Sequence, residues 1–291
     1  MIHYKNQYLD LLELLENLEI VCISDGSCDE TQNLLSSLMH KRLEIISYKE
    51  SLGKNVRIRN YLKKKEIKNY FISFADGNTQ LTPESMIQMI NAFQDEKVGC
   101  SSSVLEYSDG FRFEGTYWNS ENRIKLQESM ILQQVGASGA LFSIRENIYE
   151  EQSDSFPIDL AFSLRALLLG YSSISVHKSR VFEEIGDKDF AKRKHRTLLR
   201  GMRCAFFYFP KLLKNYRFLS VFCLFSHKII RWISPFFILF ILLNHSFFSF
   251  SLLLLILLIF FPYSPLYLIK IFWSSIKAFF HFILGRTIKR W

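Results

Sequence analysis

Carboxylates stand at the ends of two apolar runs in this 291-residue chain, each followed by a glycine. Ile20–Ile23 is short and β-branched and reaches Asp25-Gly26; Tyr70–Phe74 is apolar and aromatic and reaches Asp76-Gly77-Asn78-Thr79. Runs this short read as buried strands rather than helices. In open α/β sheets, ligands bind outside the carboxyl ends of the strands, so a carboxylate there is a candidate ligand contact. An Asp-Gly pair taken alone is equally a plain turn. Two strands delivering carboxylates to the same rim strengthen the ligand reading for Asp25 and Asp76.

The intervening elements set that rim. Leu11, Leu12, Leu14, Leu15 and Leu18 recur at helical spacing over Tyr8–Leu18, a helix expected to pack on the sheet. Ser27 and Glu30 have capping-box spacing for the helix after Asp25. Leu43–Tyr48 predicts a second strand, Ser51-Leu52-Gly53-Lys54 a loop, and Asn55–Lys64 a helix. Thr82-Pro83 predicts a helix start, a cap followed by proline. Val98–Val104 reads as a strand and Ser120–Gln134 as a helix. Gly136-Ala137-Ser138-Gly139-Ala140 then leads to apolar Leu141–Ile144; its small residues suit close backbone approach or a tight turn. Pro157–Leu169 reads as a helix with Asp159 in its first turn, where a carboxylate also favours the helix dipole. Ile174–Val176 and Arg180–Phe182 are short strand candidates. Strands alternating with helices imply an α/β fold with a mostly parallel sheet. No GxGxxG follows any strand, which argues against a dinucleotide-dependent dehydrogenase.

Charge is uneven along the chain. From Ile233 to Ile269 there is no Lys, Arg, Asp or Glu, a stretch long enough for two connected spans, at about 20 apolar residues each. The expected arrangement is a hairpin of Ile229–His245 and Ser246–Ile269, followed by an interfacial helix whose Lys270, Ser274, Lys277 and His281 share one face; a third span is the alternative. The formal charge of +8 is concentrated before this tail, from Lys188 through Lys192, Arg193, Arg196, Arg200 and Arg203 to Arg231. That placement favours anionic lipid on the cytoplasmic side over nucleic acid. No secretory signal opens the sequence. Cys22, Cys28, Cys100, Cys204 and Cys223 form no CxxC or zinc spacing, which fits a reducing compartment.

Taken together in order, the motifs resemble the inverting, membrane-associated glycosyltransferases of family 2, the group of cellulose and hyaluronan synthases. EIVCISDGSCDET resembles the strand carrying a nucleotide-contacting Asp, here Asp25; LGKNVRIRN resembles the Gly-Lys loop, with Gly53, Lys54 and Asn60. FADGNT stands at the DxD motif, with Asp76 and Asn78 as the implied Mg²⁺ or Mn²⁺ ligands. YWNSENRIKLQES and GASGALFSIR are similar to the acceptor-side helix and Gly-Ala segment. FPIDLAFSLRALLLGY matches the segment of the catalytic base at Asp159, and KRKHRT stands at QxxRW, with Arg193 and Arg196 as implied diphosphate ligands.

The resemblance implies a GT-A nucleotide-diphospho-sugar transferase fold over residues 1–187, basic amphipathic helices over 188–231 and the membrane region over 232–291. It further implies a nucleotide-sugar donor, a UDP-sugar, and a glycan or lipid-linked acceptor beside membrane lipids. The implied location is the cell inner membrane, with the catalytic part cytoplasmic. The family's first strand, carrying Pro and Asn-Glu, has no counterpart before Tyr8, so an N-terminally truncated member is expected; the alternative is an inactive membrane scaffold or synthase partner. Ile158 replaces an acid, and Thr197 replaces the Trp associated with processive synthesis, leaving single transfer open.

Overall fold

The computed structural model describes residues 9–29, 31–38, 40–65, 71–107, 112–183, 190–244 and 265–286. Helix α1, residues 9–14, precedes β1 (Ile20–Asp25), which pairs in parallel with β2 (Leu43–Tyr48) and places Asp25 opposite Tyr48. Between them lies α2 (Thr31–Ser36), where Asp29 Oδ1 accepts from the Thr31 amide at 3.1 Å. Asp29 therefore supplies this cap; Glu30 of the expected capping box lies outside the described residues. Helix α3 (Lys54–Leu62) follows β2 directly.

A second sheet has five strands: β3 (Phe71–Ala75), β4 (Thr79–Gln80), β5 (Val98–Tyr107), β6 (Leu141–Arg145) and β7 (Ser172–Glu183), in the order β3-β6-β5-β7-β4. The expected mostly parallel sheet is corrected to a mixed one. Strands β5 and β7 are parallel, but β6 runs against both β3 and β5, and β4 runs against β7. The reason is a connection that leaves and returns at the same rim. After Tyr107 ends β5, helix α5 (Arg112–Met130) and the Gly136–Ala140 passage bring the chain back beside the end of β3, where Ala140 accepts from the Asp76 amide at 3.1 Å. The two short strand candidates around residues 174–182 are one strand, β7.

Both faces of this sheet are covered, because successive side chains of a strand point to opposite sides. Leu141 packs with Leu81, Met86, Met89 and Leu11, under α4 (Pro83–Asn91) and α1; Phe142 packs with Phe74, Ile158 and Phe162, under α6 (Ile158–Leu168). The Phe74 ring stacks on Phe142 at 4.9 Å and on Phe162 at 5.6 Å. Helix α4 starts as its sequence predicts, with Thr82 and Ser85 exchanging side-chain-to-amide bonds and Pro83 in the first turn.

The C-terminal part is helical: α7 (Phe190–Lys214), α8 (Phe218–Cys223), a π-turn over Leu224–Ile229, α9 (Ile230–Asn244) and α10 (Pro265–Ile283). A continuous apolar core joins them to α6 through Leu160, Leu164, Leu199, Tyr208, Leu224, Trp232 and Ala278. Among the described residues, no helix is long and apolar enough to cross a membrane. Of the expected hairpin, the described residues include α9 within the first arm, while residues 245–264 lie outside them. The polar face expected on α10 is divided. Ser274 is buried and His281 sets its ring edge-on to His195 of α7, while Trp273, Phe280 and Ile283 are exposed.

Candidate active site

Four interactions converge on Asp25 from the next βα connection. Oδ1 accepts from the Leu52 amide (2.9 Å) and Arg57 Nε (2.6 Å), and Oδ2 from the Gly53 amide (2.7 Å) and Ser51 Oγ (2.9 Å). Burial opposes the charge, but the Leu52 amide, Arg57, the Gly53 amide and Ser51 outweigh it and hold the carboxyl down at about 2. Arg57 is itself buried, 3.6 Å above the Tyr48 ring. Gly26 is required beside this contact: at φ +79° it adopts a conformation L side chains avoid, and a Cβ would lie 2.9 Å from the Ser51 nitrogen. Asp25 thus fixes the shape of the loop that presents Lys54.

Lys54, the first residue of α3, forms an ion pair with Asp76. Asp76 opens the turn between β3 and β4, closed by the Thr79 amide donating to Asp76 O at 3.1 Å. Thr79 is fully buried and donates through Oγ1 to Glu183 Oε1 at 2.7 Å; the two residues are paired across β4 and β7. Glu183 was not among the residues singled out from the sequence. Burial and neighbouring Asp76 push its carboxyl up, against the donors Thr79 and Asn78 and the charge of Lys54. A carboxylate at a strand end was the available signal. Reading β7 as two fragments ending at Phe182 hid it.

Asp76, Asn78 and Glu183 form an all-oxygen donor set suited to a hard divalent cation such as Mg²⁺ or Mn²⁺. Among the described residues, no group of three or more His, Cys, Asp and Glu side chains forms a metal cage, so ligation here relies on an amide and on oxygens a ligand would bring. A cation held by Glu183 would have to displace its proton, and burial keeps that carboxyl protonated to higher pH than an ordinary glutamate. Mn²⁺ affinity measured by calorimetry is expected to rise with pH through that titration, with proton release. Glu183→Gln should flatten the dependence, and an unchanged pH slope in this variant would exclude Glu183 as a ligand.

Asp159 sits in the first turn of α6, its main chain accepting from the Ala137 amide at 3.2 Å. Its Oδ2 lies 3.7 Å from where a Cβ on Gly139 would stand, so the Gly-Ala passage runs directly against the carboxylate. Across from it, α7 contributes Arg193, Arg196 and Arg200. Burial, then the charges of Arg200 and Arg193, act against the charge on Arg196. Burial also lowers Arg200, against the pull of Asp159; its Nη2 donates to Phe156 O at 2.7 Å, while its buried Nε has no hydrogen-bond partner. Crowded guanidiniums of this kind favour an anion, and their forked donors match phosphate. Arg203 of the same helix stands apart from this group and donates to Arg286 O, just past the end of α10, at 2.6 Å.

One cleft of about 630 Å³ gathers Lys54, Asp76, Asn78, Asp159, Glu183, Arg193 and Arg196, with Tyr107 and Trp118 also in its wall. Asp25 is not part of this wall; it stands behind the loop it braces. A shallower groove of about 670 Å³ between α5 and β7 holds Glu106, already paired with Arg180, and no arginine cluster. All five cysteines are free, and burial pushes the Cys100 thiol up to about 12 and Cys223 up to about 11, away from nucleophilic thiolates.

Residues 5–152 match the family model described as "Glycosyl transferase family 2". Among solved structures, the mannosyltransferase PcManGT from Pyrobaculum calidifontis, in complex with GDP-Man and Mn²⁺, is similar at TM-score 0.69 and 14% identity, over 98% of this chain and 84% of that one. GalNAc-T7 with UDP, GalNAc and Mn²⁺ aligns at TM-score 0.42 and 13% identity, over 58% of this chain and 38% of that one. No curated protein matches the chain.

Proposed function

Because the chain belongs to glycosyl transferase family 2 and is a transferase enzyme, we propose that it moves a sugar from a nucleotide-diphosphate donor to an acceptor hydroxyl with inversion. The observation that carries this reading is the single cleft, in which Lys54 and the Asp76–Asn78–Glu183 set share one wall with Asp159 and the arginines of α7. The residues divide by chemistry. Asp76, Asn78 and Glu183 hold Mg²⁺ or Mn²⁺, which when bound supplies positive charge against the leaving diphosphate. Lys54, Arg193 and Arg196 bind the diphosphate oxygens, and Asp25 acts on the donor through the loop it holds. Asp159 takes the acceptor proton as the acceptor oxygen bonds to the anomeric carbon. The electron pair of the breaking C–O bond leaves with the diphosphate. Inversion needs base and leaving group on opposite faces of the sugar, as in inverting glycosidases.

A UDP-sugar is the first donor expected; GDP-mannose, which PcManGT binds, is the second to screen. Release of nucleotide diphosphate from one of these, dependent on added Mn²⁺ or Mg²⁺, supports the reading. Failure of any nucleotide diphosphate to bind with metal present overturns it.

The acceptor is proposed to lie at a cytoplasmic membrane face. Phe218, Phe222, Trp273 and Phe280 are exposed on the C-terminal helices, and Lys211, Lys214 and Arg217 immediately precede Phe218 in the chain. Aromatic and basic side chains together suit an anionic bilayer surface. Flotation should retain the protein on anionic vesicles at low salt; equal retention on neutral vesicles would remove the electrostatic part of this assignment.

A further inference from the structure

The seam between α7 and α10 gathers basic side chains that no carboxylate neutralises. Elsewhere in the C-terminal helices such groups are paired, as Lys228 and Arg231 are with Glu121 of α5. His195 of α7 stands one residue, about 100° of helix turn, from Arg196 of the cleft wall, and faces α10. It is 8% exposed, its ring lies edge-on to His281 with centroids 4.9 Å apart, and its Nε2 has no hydrogen-bond partner. Beyond His281 the chain is folded back by Gly285, at φ +68°. The Gly285 amide donates to Phe282 O at 3.1 Å and the Arg286 amide to His281 O at 2.9 Å, the closure of a helix end by a left-handed glycine. That turn carries Arg286 beside His281, Nη1 to Nε2 at 3.5 Å, and Arg203 of α7 fixes it there by donating to Arg286 O at 2.6 Å.

Lys277, one turn before His281 on α10, is exposed, and its charge acts on both rings. Burial, then the charges of His281 and Lys277, hold His195 neutral to lower pH than an ordinary histidine; burial, then Arg286 and Lys277, do the same to His281. Among the described residues none of His195, Lys277, His281 and Arg286 is paired with a carboxylate. Leaving a buried polar atom unbonded is unfavourable, and like charges this close disfavour one another. A single anion seated over the two rings relieves both: it gives a protonated His195 Nε2 an acceptor and neutralises Lys277 and Arg286. The ammonium and guanidinium beside the rings favour an anion there over a metal cation.

We infer that His195, Lys277, His281 and Arg286 form a binding site for a phosphate group at the α7–α10 seam, separate from the transfer cleft. The inference does not depend on the transferase reading. An ammonium, a guanidinium and two imidazolium N–H groups supply the charged donors that phosphate oxygens accept. Phe280, Ile283 and Leu284 are exposed at the same end of α10. The phosphate therefore belongs first to the headgroup of an anionic lipid whose chains lie along these side chains, and second to a free anion; the test separates the two. Ser275 of α10 lines the cleft, so an anion that pins α10 to α7 also holds that part of the cleft wall.

The experiment records histidine ring signals of the full chain by NMR, with His195→Gln and His281→Gln assigning the two rings. Sulfate, a phosphate surrogate that stays a dianion throughout, is titrated at pH 5 and at pH 8. Both rings are expected to shift with sulfate at pH 5, and affinity at pH 8 to be weaker by about tenfold or more, because the imidazolium donors are lost as pH rises through their titration. Lys277→Gln combined with Arg286→Gln should weaken sulfate binding about tenfold or more, and Lys277→Arg should retain it. Both positions are exposed, so an unchanged unfolding temperature without sulfate confirms that the variants are folded. Dioctanoyl phosphatidic acid, inorganic phosphate and dioctanoylglycerol are then compared at pH 6. Tighter binding of phosphatidic acid than of phosphate assigns a lipid headgroup, equal or weaker binding a free anion, and dioctanoylglycerol should leave the rings unmoved. The site is overturned if sulfate shifts neither ring, if dioctanoylglycerol shifts them as phosphatidic acid does, or if the double variant binds sulfate normally. It is also overturned if Arg196→Gln in the cleft abolishes the shifts, which would place the anion there. Failure of nucleotide binding would strike the transferase reading and leave this site standing.

Discussion

Asp159→Asn is expected to lower transfer by about 10²–10⁴-fold, the usual contribution of a positioned general base, while nucleotide-diphosphate affinity in Mn²⁺ stays unchanged. The substitution is nearly isosteric and lies in the first turn of α6, where the main-chain bond from Ala137 does not depend on the side chain. What it removes is the ability to accept a proton against Gly139, in the cleft that also holds Lys54, Asp76 and the arginines of α7. Single-turnover release of nucleotide diphosphate, with acceptor present and absent, separates loss of chemistry from loss of binding. Full activity in this variant would remove Asp159 as the base and leave the cleft's other carboxylates to be tested.

The second large effect is on stability. Asp25→Asn should destabilise the protein by about 3 kcal/mol, because an amide cannot accept from both the Leu52–Gly53 amides and the Arg57 guanidinium, and Arg57 is left buried without its counter-charge. The pH dependence follows from the sign of the shift. The carboxyl titrates at about 2 in the folded protein, below its ordinary 3.8. Its stabilising contribution, about 2.5 kcal/mol, is complete above pH 4 to 5 and is lost as pH falls through 3.8 towards 2. Denaturant unfolding of wild type and variant at pH 7 and at pH 3 should therefore show a difference that narrows in acid; a constant difference would mean that the carboxylate charge is not what holds the loop. Activity should fall as well, since the same loop presents Lys54 to Asp76.

Much of the fold was legible because its signals are local. Leu43–Tyr48 is a strand with the bounds its pattern predicts, and Thr82-Pro83 starts a helix by pairing Thr82 with Ser85. Strand direction was not legible. A ten-residue helical pattern between two strands reads as a crossover, and nothing in α5 or the Gly-Ala passage announces that the chain returns to the rim it left. In the C-terminal part, composition alone does not say which faces are covered: within α10, Ser274 and Ala278 are buried while Trp273 and Phe280 are exposed.

The cleft divides along the same line. Sequence by itself singled out Asp25 and Asp76 as carboxylates at strand ends, and the resemblance of short motifs to a known family singled out Lys54, Asn78, Asp159, Arg193 and Arg196. These are properties of a few neighbouring residues. Tertiary structure decided where each one stands and what it touches. It moved Asp25 behind the cleft by surrounding it with donors from a loop 26 to 32 residues later in the chain. It brought Glu183 to the Asp76 turn across 104 residues through strand pairing, and set Lys228 and Arg231 on Glu121 from 107 and 110 residues away. Such pairings are fixed only when distant segments bury their apolar faces together, because a carboxylate's preference for one cation over another is set by the packing that holds both.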